Sequence, residues 1–147
     1  MPKNINFLLI FVFLLSACDT SPSKKGGGKF GMLSGDNPES AAIEFFEHIY
    51  HGKNLKGAIN LGTPKMQRLL RSYHTNKSVQ KHVLNMRFDN VTMRSMSRSA
   101  GRNEFSKEAQ ISLFFEGELE GKTLKDLRLV KLVKVGADWK VNEVSLK

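Results

Sequence analysis

The chain has 147 residues, 40% of them hydrophobic and 25% charged, with 23 Lys+Arg against 14 Asp+Glu for a formal net charge of +9. That length is one domain's worth, and the composition excludes both wholesale disorder and a polytopic membrane protein. One Cys in the whole chain excludes an internal disulfide framework and a Cys-rich structural zinc site.

At the start, Lys3 supplies a positive charge and an apolar run follows from Phe7 to Leu15. The run is too short to cross a hydrocarbon core, which takes about 20 helical residues, and it fits the apolar region of a secretory signal. Leu15-Ser16-Ala17-Cys18 then resembles a bacterial lipobox. Small side chains at Ser16 and Ala17 let a peptidase reach the backbone, and the Cys18 thiol is the nucleophile that takes a diacylglycerol thioether. The expectation is cleavage between Ala17 and Cys18, so that residues 1–17 are a signal peptide and Cys18 is the lipidation site. Under the plainer alternative, Cys18 is a lone thiol behind an uncleaved anchor. Several acyl chains hold a protein on a membrane far more firmly than one. The next residue, Asp19, resembles an inner-membrane retention signal, so the expected location is the bacterial cell envelope, facing the periplasm and favouring the inner membrane.

Residues 18–36 are rich in Gly, Ser and Lys and lack the apolar content to build a core, so they read as a flexible tether. Such a tether reaches ~25 Å. Lys24, Lys25 and Lys29 either pair with anionic headgroups or form a solvated basic linker.

The folded domain is expected over 37–147. Asn37 reads as an N-cap before Pro38, and Ala42, Phe45, Phe46 and Ile49 share one face of a helix stopped by Gly52. A short helix fits Leu55 to Leu61. Thr63 and Pro64 open a third with Met66, Leu69, Leu70 and Tyr73 on one face, and Val79 to Met86 fits a fourth. After Phe88 the period changes to two. Ala109, Ile111, Leu113 and Phe115 alternate with polar neighbours, Glu120-Gly121 turns, and Leu124 to Val135 and Trp139 to Leu146 make two further strands. Each of these changes phase partway: Leu127 and Leu129 give way to Val130, Leu132 and Val133, and Trp139 and Val141 to Val144 and Leu146. A β-bulge in each is the expected cause. Helices first and an antiparallel meander second make the fold class α+β.

Three segments in this order carry a resemblance: Asn37-Pro38-Glu39-Ser40-Ala41-Ala42 with Phe45-Phe46, then Gly52-Lys53-Asn54-Leu55-Lys56-Gly57-Ala58, then Gly136-Ala137-Asp138-Trp139-Lys140-Val141. Residues 37 to 147 thereby resemble the nuclear transport factor 2-like fold, and more narrowly small bacterial lipoproteins whose domain has no assigned function. The resemblance implies N-terminal helices packed on a curved antiparallel sheet, a cone open at one end, and homodimers as a common state. It does not imply an activity, because this architecture hosts enzymes and plain binding domains alike.

The residues themselves offer little chemistry. The strand alternation assigns no carboxylate to the core face, and Tyr50 and Tyr73 read as packed side chains with satisfied hydroxyls. His48 and His51 are i, i+3 neighbours but lack a recognisable third ligand, so no metal and no cofactor is expected. The basic excess singles out Arg94 and Arg98 on one strand, and Arg128, Lys131 and Lys134 on another, as an anion-binding set; a mixed solvated surface is the alternative. Export disfavours nucleic acid. The expected function is therefore a membrane-anchored, non-enzymatic binding or adaptor domain for an envelope protein or a small ligand. The alternatives are an isomerase- or hydrolase-like enzyme using the cone, and an electrostatic binder of anionic envelope polymer.

Overall fold

The computed structural model describes residues 37–96 and 106–146. The expected signal peptide (residues 1–17), Cys18, the expected tether and Arg98 lie outside the described residues. Four helices come first, α1 (Pro38–Tyr50), α2 (Lys56–Leu61), α3 (Pro64–Tyr73) and α4 (Asn76–His82). Four strands follow, β1 (Asn90–Ser95), β2 (Glu108–Leu119), β3 (Lys122–Val135) and β4 (Asp138–Leu146), in an antiparallel sheet of order β1-β2-β3-β4. The fold class is α+β, as the change of period predicts.

Helix α1 begins where its sequence says it should. The Asn37 side chain accepts from the Glu39 N–H at 2.9 Å, Pro38 fills the first turn, and Glu39 sits at the positive end of the helix. Ala42, Phe45, Phe46 and Ile49 are fully buried. The other end of α1 is closed from a distance. The Asn76 side-chain amide donates towards the carbonyls of His48, Ile49 and Gly52 at 2.9, 3.1 and 3.0 Å, and the Gln80 amide donates to the Ile49 carbonyl at 3.0 Å. Asn76 opens α4, which starts three residues before the predicted Val79. The Thr75 hydroxyl caps it by accepting from the Ser78 N–H.

The helices cover one face of the sheet. Cross-strand partners share a face, so Ile111 with Val130, Leu113 with Arg128 and Phe115 with Asp126 all point inward. Phe46 meets Phe115 there edge-on, with ring centroids 4.9 Å apart. On β4 the predicted bulge is present. Lys131 pairs with Glu143 but Leu132 pairs with Val141, leaving Asn142 as the extra residue. The Thr63 hydroxyl donates to the Asn142 side-chain oxygen at 3.0 Å, which ties the bulge to the start of α3.

On β3 the expectation fails. The strand keeps one phase against β2 throughout, with Leu127 and Leu129 on the outer face and Asp126, Arg128, Val130 and Leu132 on the inner one. The apparent phase change comes from two charged residues placed inward, not from a bulge. Among the described residues, every member of the buried core lies between Ala41 and Val141.

Candidate functional site

Past α4 the chain leaves the helical layer through Asn85, whose φ of 47° lets it turn, and runs as Met86-Arg87-Phe88 into β1. Opposite lies the β2–β3 hairpin, turned by Glu120 and Gly121 at φ 52° and 75°. Asp89 joins the two walls. Its N–H donates to the Glu118 carbonyl at 2.7 Å, and its carboxylate accepts from the Glu120 N–H at 2.8 Å. Gly117 permits the approach, because a Cβ there would collide with the Asn90 carbonyl and the Phe88 ring.

Between the walls is a cleft of about 450 Å³, within the roughly 300–1,000 Å³ range of small-molecule sites. Met86, Phe88, Leu119 and Leu124 supply its apolar lining; Lys81, Asn85, Arg87, Lys125 and Asp126 supply the polar part. Leu124 is 39% exposed, a large apolar side chain left open to solvent at this edge. Lys125 pairs with Glu116 at 2.9 Å. Lys81 and Arg87 are exposed and make no ion pair among the described residues.

Beside the cleft, three polar side chains sit on the inner face of the sheet or against it. Arg128 is only 6% exposed, and its Nη2 donates to Asp126 Oδ2 at 2.6 Å. Its Nε has no hydrogen-bond partner. The other carboxylate oxygen of Asp126 accepts from the Leu127 N–H at 2.7 Å. The Tyr50 hydroxyl donates to the Met86 carbonyl at 2.7 Å, and its ring packs near Phe88 and Phe115. Burial pushes this hydroxyl well above the ordinary tyrosine range; Arg128 pulls it down and Asp126 adds to the rise.

That shift has a sign. Above pH of about 10 an unfolded Tyr50 loses its proton while the folded one keeps it, so the unfolded state binds fewer protons and stability falls as pH rises. Tyr50→Phe removes this contribution. Urea midpoints of the variant are expected to decline less steeply than those of the parent from about pH 9 to 11. Parallel declines would place the alkaline sensitivity elsewhere.

The four described members of the anion-binding set are divided between the two faces of the sheet. Arg94 is exposed on the outer face, 4.7 Å above the Phe114 ring. Lys131 also faces outward and pairs with Glu143 at 3.4 Å. Lys134 lies at the far end of β3 near the Trp139 ring, and Arg128 is buried on the inner face against Asp126. His48 and His51 engage separate partners: His48 is 3.7 Å from Glu44, while a His51 ring nitrogen lies 3.1 Å from the Val91 carbonyl. Among the described residues no group of three or more His, Cys, Asp or Glu could hold a metal, and no helix is long and apolar enough to cross a membrane.

Asp126 and the cleft are not among the features that the sequence pattern singles out. Taking Leu127 and Leu129 as inward placed Asp126 outward. The usable signal was the strict alternation back from Val130, which makes Arg128 and Asp126 core-facing.

The fold defines a small α+β domain with a small-molecule-sized cleft at one end of its sheet. No protein-family model matches the chain, and neither does any curated protein.

Proposed function

We propose that this chain is a lipid-anchored envelope protein whose nuclear transport factor 2-like domain binds a small ligand in the cleft between Asn85–Phe88 and the β2–β3 hairpin, without transforming it. The observation that carries this reading is the pairing of an apolar, ligand-sized cleft with polar neighbours that are already committed. Asp126 is held by Arg128 and the Leu127 N–H, and Tyr50 by a main-chain carbonyl, so among the described residues neither of these two groups is free to act as a general base on a bound molecule. Helices over one face of a four-stranded meander agree with the cone architecture, and the bulge at Asn142 supplies curvature. The membrane attachment rests on Leu15-Ser16-Ala17-Cys18.

Native mass spectrometry of residues 30–147, exported with a cleavable signal and purified gently, tests the binding role. The expected result is a reproducible extra mass that is lost in Leu124→Asp. A bare protein whose envelope crosslinks all go to another protein would replace ligand binding with an adaptor role. The anchor is tested separately: Cys18→Ala in the full chain should abolish palmitate labelling and accumulate precursor, and labelling that persists would overturn it.

A further inference from the structure

We infer that the cleft selects a single-chain amphiphile with an anionic head, its apolar tail on Met86, Phe88, Leu119 and Leu124 and its head between Lys81 and Arg87; this rests on the binding role proposed above. Three observations lead there. The floor is apolar and remains partly open, with Leu124 in contact with water, so covering it with a hydrocarbon or aromatic body is favourable at about 25 cal/mol per Å². The rim carries Lys81 and Arg87, both exposed and without an ion-pair partner among the described residues, whereas the third cation, Lys125, is occupied by Glu116. The carboxylate that lines the cleft among the described residues, Asp126, is offset by the Arg128 guanidinium at 2.6 Å, so it opposes an incoming anion far less than a free carboxylate would. Apolar floor and cationic rim together match a molecule that is apolar along its body and negative at one end.

Carboxylate and phosphate heads satisfy this geometry equally, and the experiment separates them. The chain from residue 30, which keeps every core residue found among the described residues, is titrated below micelle-forming concentrations with dodecanoate, dodecyl phosphate, dodecanol and dodecyltrimethylammonium. Binding is read from backbone amide shifts. Both anions are expected to saturate, with shifts grouped at Lys81, Arg87, Phe88 and Leu124; the tighter of the two names the head. The cation should bind at least about tenfold more weakly, and added salt should weaken the anions but not dodecanol. Lys81→Ala and Arg87→Ala, both on exposed side chains that leave the core untouched, should each cost roughly fivefold in anion affinity.

Equal binding of dodecanol and the anions at these residues would overturn the anionic selectivity while leaving the cleft as the ligand site. Saturation with shifts grouped on the outer face, or no saturation by any of the four, would overturn this inference outright. A co-purifying mass seen alongside that failure would still leave the broader binding role standing.

Discussion

Replacing Asn76 with Asp is expected to destabilise the domain by about 3 kcal/mol, and replacing it with Ala by about 2 kcal/mol. The residue does two jobs that make opposite predictions. As the first residue of α4 it occupies the positive end of that helix, where an acidic side chain is worth about 0.3–1 kcal/mol of stabilisation. Its amide, however, is turned back onto the C-terminus of α1, where it serves the carbonyls of His48, Ile49 and Gly52 within 3.1 Å. A carboxylate there has no hydrogen to donate and faces the negative end of α1, so the local gain is reversed. Alanine only removes the donor: the His48 carbonyl loses its partner, whereas the Ile49 carbonyl keeps the Gln80 amide. Thermal unfolding reads the difference directly, since about 2 kcal/mol moves the midpoint of a domain this size by roughly 10 °C. If Asn76→Asp proved neutral or stabilising, α4's own preference would outweigh the contact with α1, and the two helices would not be held together at this point.

That contact also shows where sequence reasoning stops. Helix α1 was legible because its signals are local: an Asn-Pro-Glu start and apolar residues at helical spacing. The bulge in β4 was legible for the same reason, since Trp139-Val141 and Val144-Leu146 cannot share a face without an extra residue between them. Helix α4 was misplaced because its anchor is Thr75 and Asn76, a polar pair whose value lies in a partner 24 to 28 residues away. The β3 error has a different origin. Hydrophobic periodicity assumes that the inward positions are apolar, and Asp126 and Arg128 break the assumption by burying a charge pair where Leu127 and Leu129 look the better candidates. The cleft could not be read from the chain at all, because its walls, Asn85–Phe88 and Leu119–Asp126, are brought together only by the pairing of β1 with β2 and of β2 with β3.

The buried pair yields the second large effect, and it is asymmetric. Asp126→Ala should cost about 2–3 kcal/mol, because it strands a guanidinium that is almost wholly out of water and already has one unbonded nitrogen. The figure sits below the roughly 3–5 kcal/mol of a fully buried pair because the Asp126 side chain is itself 26% exposed, and water that reaches it partly screens the interaction. Arg128→Met should change stability by no more than about 1 kcal/mol in either direction: it trades a desolvated charge for an apolar side chain and leaves Asp126 some access to water. The double variant is expected to resemble Arg128→Met alone, a coupling of about 2 kcal/mol measurable by urea unfolding of all four proteins. Additive losses would mean that the two side chains contribute independently and that the 2.6 Å contact carries no energy. If the asymmetry holds, stability does not explain why a guanidinium is buried here. Its second effect is on the cleft, where it cancels the Asp126 charge in the wall. Arg128→Met should therefore keep the fold and still weaken dodecanoate binding, because the unneutralised carboxylate now repels the anionic head across the floor that Phe88 and Leu124 provide.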